Sequence, residues 1–341
     1  MRIIVIRFLL GIITFSLVAC GDDPVLAPAQ PLQTDAAVIA QLYGANQGPY
    51  QVRVERDVLL AATAQESELL LNLYFPAQGD NFPLLLFSHG NWSDKDSYDR
   101  IIEHWVGHGY VVIAPNHLDC CSAVAGIFNS LRYGQIGLID ARIADMSRIL
   151  QALTQIEQQV PAFSRKADPR RVALTGHSFG AFTAQQFGGA RAFDPDSEQY
   201  QSYFDPQIKA VVALSPPGPM FDTITSESWL TLKTPTLVST GTWDVQPGFW
   251  PDWRMHLMSW ETALPGDKYA LVVDGADHYL GNLICRPQLD ADPQEDALHM
   301  LQIASIAFLD AYLKDNQAAR DFIATGRLTD ATGGFAKLSV R

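Results

Sequence analysis

The chain has 341 residues, 48% of them hydrophobic and 18% charged, which supplies a sizeable core and excludes a disordered or collagen-like chain. The formal net charge is −13 and no basic stripe interleaves with aromatic residues, so nucleic acid is excluded as an expected partner. The acidic balance chiefly serves solubility.

The chain starts with Arg2 and Arg7, followed by an apolar run from Phe8 to Ala19 that is too short for a comfortable membrane span. The run ends Leu17-Val18-Ala19-Cys20-Gly21, which resembles the lipobox of bacterial lipoproteins. That resemblance implies a signal peptide over 1–19, cleavage before Cys20 and a lipid on Cys20. It therefore implies an exported protein anchored to a bacterial membrane, on its periplasmic or cell-surface face. Several acyl chains on one residue would hold it there, since each buried CH₂ contributes about 0.8 kcal/mol. Residues 20–40 are rich in Pro, Ala, Gln and Asp without periodicity and read as a tether. Residues 41–341 contain no repeat or low-complexity linker and read as a single domain.

Residues 69–75 and 82–88 read as strands separated by a polar Gln-Gly-Asp turn. Ser93 reads as the cap of a helix over 94–106, with Tyr98, Ile101, Ile102 and Trp105 on one face. A buried strand over 110–114 stops at Pro115. A long amphipathic helix over 138–160 carries Ile139, Ile143, Met146, Leu150 and Leu153 at helical spacing. Strands follow over 171–175, 208–214, 235–240 and 269–273, and a helix over 295–313 closes the pattern. Short apolar strands alternating with long helices predict an α/β fold, with a mostly parallel sheet covered on both faces. Sites in such sheets gather at the carboxyl ends of the strands.

Gly176-His177-Ser178-Phe179-Gly180 follows the strand at 171–175 and opens a helical stretch. Strand, tight turn with serine at its tip, then helix is the context of a nucleophile elbow. A serine hydroxyl needs a base, and the base needs an orienting acid. In this topology the chain order is serine, acid, histidine. Asp244 follows the strand at 235–240 and His278 follows the strand at 269–273, so Ser178, Asp244 and His278 are the predicted triad. Asp274, Asp277 and Asp222 are rival acids, and His177 is expected to pack beside the nucleophile. The tetrahedral oxyanion needs preorganised donors. The Phe179 N–H is one, and the Asn91 N–H, in His89-Gly90-Asn91-Trp92 after the strand at 82–88, is the other.

Trp243, Phe249, Trp250, Trp253, Met255, Met258 and Trp260 crowd one segment. They read equally as a cap over an acyl pocket or as an aromatic face packed on the sheet. With Cys20 lipidated, Cys120, Cys121 and Cys285 remain, and an odd number cannot all pair within one chain. A disulfide from Cys285 to Cys120 or Cys121 would pin the loop bearing His278. No C-x-x-C spacing points to zinc.

Phe87-Ser88-His89-Gly90, Ala114-Pro115-Asn116-His117, Asp168-Pro169-Arg170-Arg171-Val172 and the elbow together resemble a group of serine α/β-hydrolases. That group contains the dienelactone hydrolase-like esterases and the platelet-activating-factor acetylhydrolases. The resemblance runs from about residue 65 to about residue 285. It implies the α/β-hydrolase fold and hydrolysis of a carboxylic ester with no metal or organic cofactor. Three positions depart from the group. Ser178 stands where dienelactone hydrolases carry cysteine. Leu214-Ser215-Pro216-Pro217 holds no acid where the acetylhydrolases place theirs, and Ala181 replaces a second glycine. The expected function is a serine carboxylesterase acting on small to medium esters through an acyl-enzyme. The alternatives are a serine peptidase or amidase on the same fold and a catalytically silent surface lipoprotein.

Overall fold

The computed structural model describes residues 26–62 and 67–341. The expected signal peptide, Cys20 and the first residues of the tether lie outside them.

The strands are Val52–Leu60 (β1), Leu69–Pro76 (β2), Phe82–Ser88 (β3), Val111–Pro115 (β4) and Ala167–His177 (β5). They continue with Arg191–Asp194 (β6), Gln199–Ser202 (β7), Ile208–Leu214 (β8), Thr236–Gly241 (β9), Lys268–Val273 (β10) and Ala336–Val340 (β11). Nine of them form one sheet in the order β1-β2-β4-β3-β5-β8-β9-β10-β11, while β6 and β7 pair separately. The neighbours from β4 through β10 run parallel, and β1, β2 and β11 add antiparallel edges. This is the α/β-hydrolase fold, a mostly parallel sheet with helices on both faces.

Alternating side chains divide the core into two layers. Leu85 and Phe87 of β3 face the helices Asp99–Gly107 (α1) and Glu295–Leu313. Leu84 and Leu86 face Ala123–Gln151 (α2) and Phe179–Phe187 (α3). The closing helix Glu295–Leu313 is α4. Its Ser305 Oγ accepts the Trp105 indole N–H of α1 at 2.9 Å, which satisfies a polar group that burial would otherwise strand.

Several boundaries differ from the sequence reading. Ser93 caps no helix: its hydroxyl donates to the Cys285 carbonyl at 2.9 Å. Asp94 instead receives the Ser97 hydroxyl and the Asp96 N–H, forming a turn that delays α1 to Asp99. The helix expected over 138–160 begins at Ala123, bends at Gly134 (φ 71°) and ends at Gln151, and Leu153–Gln159 forms a separate helix. The described part of the expected tether is docked on the domain. The Ala27 carbonyl accepts the Trp243 indole N–H at 2.6 Å, Gln30 N–H donates to Asp274 at 2.9 Å, and Ile39 is buried in the core.

The topology brings the candidate residues to one edge of the sheet. The 89–92 loop follows β3, Ser178 follows β5, Asp244 follows β9 and His278 follows β10. No described helix is long and apolar enough to cross a membrane.

Candidate active site

Ser178 sits between β5 and α3 with φ 52° and ψ −120°, a backbone state that is costly for a residue with a Cβ. The turn is tight because the backbone crosses its neighbours closely. A Cβ on Gly180 would lie 2.0 Å from the Ser88 carbonyl oxygen, and one on Gly176 would lie 2.4 Å from the Gly180 oxygen. Ser178 N–H donates to the Leu214 carbonyl at 2.8 Å, tying the turn to β8. Among the described residues the Ser178 hydroxyl has no hydrogen-bond partner.

Asp244 is fully buried. Its Oδ1 accepts from His278 Nδ1 at 2.7 Å, and its Oδ2 accepts the Thr240 hydroxyl at 2.9 Å. Burial works against its charge, but the His256 and His278 rings outweigh it and hold the carboxyl well below the usual carboxylate range. The rival acids are engaged elsewhere. Asp274 accepts Thr242 Oγ1 and the Gln30 N–H, and Asp277 caps the turn at Tyr279 and Gly281. Asp222 lies on an exposed turn.

His177 is part of the scaffold around these groups. Its Nε2–H donates to the His278 carbonyl at 2.9 Å, so its Nδ1 accepts from the Tyr98 hydroxyl at 3.1 Å, and that hydroxyl accepts Gly90 N–H at 2.8 Å. One chain of hydrogen bonds thus joins the elbow, the histidine loop and the 89–92 loop.

No loop carbonyl or side chain among the described residues accepts from the Asn91 or Phe179 N–H. Below these two amides lies Arg142 of α2, which the sequence reading missed. It is fully buried. Its fork engages both Asp119 oxygens at 2.9 and 2.7 Å, and Nη1 donates to the His89 carbonyl at 2.6 Å. Its guanidinium lies 4.8 Å from the Phe179 ring centroid. Arg142 thereby links both segments that carry the candidate donors. An arginine between Ile139 and Ile143, on the apolar stripe of a helix, was the available signal. Burial disfavours the Asp119 charge, yet Arg142 holds its pKa down at about 2.

A second Ser-His-Asp line runs through the same layer. Ser88 Oγ is 2.9 Å from His117 Nε2, and His117 Nδ1 is 2.8 Å from Asp145. Ser88 is fully buried and also receives Arg142 Nη1 at 3.0 Å, so this line is a structural network with no access for a substrate.

The aromatic segment packs in two places. Trp250 stacks on His278, with centroids 5.8 Å apart and planes 25° apart. Trp253, Met258 and Trp260 pack on the sheet core instead. His256, a second residue that sequence reasoning missed, places Nε2 3.0 Å from Asp244 Oδ1 and Nδ1 2.6 Å from the Pro216 carbonyl. Asp244, His256 and His278 bring three ligand-type atoms within 4.8 Å of one another. Their nitrogen–oxygen separations of 2.7 and 3.0 Å are those of a hydrogen bond from His278 and an ion-pair contact with His256, and Zn–ligand bonds near 2.0 Å on each atom would push them apart.

The expected pairing of Cys285 with Cys120 or Cys121 is corrected. Cys120 and Cys121 are joined to each other, and Cys285 is a buried free thiol. Cys285 faces inward beside Gly90, whereas Cys121 lies exposed on its loop. The loop after His278 is held by hydrogen bonds instead: Cys285 N–H donates to Ser97 and the Cys285 carbonyl accepts Ser93.

Comparison with known proteins points to the same fold. The chlorophyllase family model matches residues 44–193, which include the elbow and the 89–92 loop but stop short of Asp244 and His278. A cutinase, est2 of Thermobifida alba, is 21% identical over 257 residues, covering 75% of this chain and 71% of the relative. Chlorophyllase-1 of Citrus unshiu is 29% identical over 126 residues, and a platelet-activating factor acetylhydrolase of Cavia porcellus is 26% identical over 155 residues. Those two matches cover 35% and 34% of this chain and 34% and 36% of the respective relatives. In sequence the chain is thus similar to serine α/β-hydrolases, it has their fold, and it is a serine ester hydrolase.

Proposed function

We propose that the protein hydrolyses small to medium carboxylic esters through Ser178, His278 and Asp244, by way of an acyl-enzyme. The observation that carries this reading is the buried Asp244 carboxylate 2.7 Å from His278 Nδ1, beside a serine on a strained strand–helix turn. With Nδ1 turned to Asp244, Nε2 is the nitrogen left to act as base. It takes the Ser178 proton as Oγ attacks the ester carbonyl carbon. The resulting oxyanion is received by the Asn91 and Phe179 N–H groups. The carbon–oxygen bond to the leaving group then breaks, and the proton on His278 passes to the departing alcohol. Water, deprotonated by the same nitrogen, cleaves the acyl-serine and releases the acid. Contacts between nucleophile and base are often loose before substrate binds.

The Trp250 ring beside His278 suits an apolar acyl group. The lipobox-like sequence supports export and anchoring through lipid on Cys20, with the esterase domain facing the periplasm or the exterior. The test is hydrolysis of p-nitrophenyl esters from acetate to octanoate by residues 21–341, beside Ser178→Ala. Turnover lost in the variant supports the reading, and the chain-length profile sizes the acyl site. Turnover that persists in the variant, or its absence from the wild type on every ester, overturns it.

A further inference from the structure

One buried ionisable group bridges the loop after β8 and the acid after β9 without a part in the proposed reaction. His256 is fully buried, with Nδ1 2.6 Å from the Pro216 carbonyl oxygen and Nε2 3.0 Å from Asp244 Oδ1. A carbonyl oxygen only accepts, and so does an ionised carboxylate. A neutral imidazole has one N–H and one lone pair. The Pro216 contact places an N–H on Nδ1, and a neutral ring would then leave an unprotonated Nε2 3.0 Å from a buried, ionised carboxylate oxygen, whereas a ring protonated on both nitrogens sets a positive charge beside it.

We infer that His256 is a resident imidazolium: it balances the buried Asp244 charge and so extends the activity of the triad into mildly acidic solution. It is a positioning residue that acts through Asp244. That single oxygen, Oδ1, serves both rings, with His278 at 2.7 Å and His256 at 3.0 Å. The His256 Nε2–H points off the line to Oδ1, so this contact acts more as an ion pair than as a directional hydrogen bond. Burial opposes the cation, but the Asp244 charge, with the Pro216 carbonyl, prevails and raises the pKa of the ring. The ionisable groups facing His256 are Asp244, His278, with ring centroids 5.6 Å apart, and His177, whose protonation His256 disfavours. Trp250, 5.0 Å away, covers another face. On its own turn, Asp252 and Arg254 pair with each other in solvent. A fixed positive charge beside a buried carboxylate opposes the arrival of a second one in the same dry site, so its removal is expected to shift the acid limb of activity upward.

The catalytic consequence rests on the triad proposed above, whereas the protonation state does not. The first measurement is ¹⁵N NMR of the histidine rings of the wild-type protein between pH 5.5 and 8.5, with His256 assigned through its own backbone. Both ring nitrogens protonated at pH 7 is the expected result. A neutral ring at pH 7 overturns the inference, whatever the esterase activity. The second is the pH profile of kcat/KM on p-nitrophenyl butyrate for the wild type and His256→Gln, whose amide retains a donor without the charge. The acid limb is expected to move up by about one pH unit, lowering kcat/KM about tenfold at the foot of the limb relative to its plateau. A lower plateau with an unmoved limb marks a merely structural residue and overturns the catalytic role. Wild-type protein without ester turnover would overturn the proposed function, leaving the NMR result to uphold or overturn the charge on His256.

Discussion

At the scale of single residues, the site consists of a few exposed atoms supported by buried charge. Ser178→Ala is expected to lower kcat by about 10⁴-fold or more with the fold intact, as measured by ester turnover and far-UV circular dichroism. Asp244→Asn keeps the size of the side chain but offers an amide where two imidazoles need an anion, and should cost about 10³–10⁴ in kcat. Retention of wild-type kcat by the asparagine variant would remove Asp244 from the mechanism. Arg142 gives a subtler prediction. Arg142→Lys keeps a positive charge near Asp119 but loses the fork that reaches Asp119 and the His89 carbonyl together. The 89–92 loop then loses its support, and kcat should fall about 10–100-fold with KM little changed. A change in KM alone would mean that Arg142 serves substrate binding and not the oxyanion donors. The places of Ser178, Asp244 and His278, each just after a strand, were legible from chain order and strand ends. Arg142 and His256 were not, because each acquires its role from contacts between elements distant in sequence.

At the scale of elements, the sequence speaks clearly where one physical signal dominates. The buried strands β3, β4, β8 and β10 are built on apolar runs, so their length and punctuation mark them. β1 reads Val-Arg-Val-Glu-Arg-Asp and is bulged between Glu55 and Val58, while β11 joins the edge only by pairing with β10, so neither carries a strong local pattern. The glycines at 126, 134 and 137 masked the first half of α2. The cysteine pairing was illegible because counting thiols does not reveal which way they point. The elbow allows a direct test of close approach. A Cβ at Gly180 would meet the Ser88 and His89 carbonyl oxygens at 2.0 and 2.6 Å, and backbone atoms of a central strand have little room to retreat. Gly180→Ala should therefore destabilise the protein by about 2–4 kcal/mol. Gly248→Ala, where a Cβ meets nothing within 4 Å, should stay within about 0.5 kcal/mol. Urea denaturation midpoints decide, and equal effects at the two sites would contradict the packing described for the turn.

At the scale of the whole molecule, the histidines make stability depend on pH with a definite sign. Of the eight histidines, His89, His117 and His177 are completely buried, and burial holds their pKa values well below 6.5. Burial also pushes His104 down to about 3 and lowers His108. In the unfolded chain all five take up a proton near pH 6.5. Below that value the unfolded state therefore binds more protons than the native state. Their contribution to stability is complete above pH 6.5 and is lost as pH falls below it. His256 has the opposite sign: its pKa is raised, so its contribution is present below pH 6.5 and fades as pH rises through its folded value. Asp119 and Asp168, both held at about 2, enter only below about pH 4. Between pH 6.5 and 4.5 the five act unopposed, because His256 is then protonated in both states, and each fully buried neutral histidine costs up to about 1.4 kcal/mol per pH unit. The melting temperature should accordingly fall by about 5 °C or more between pH 6.5 and pH 5. Scanning calorimetry across that range checks it. A melting temperature that holds or rises on acidification would mean that these histidines are not buried in their neutral form, and the scaffold of hydrogen bonds through His177 and His117 would have to be redrawn.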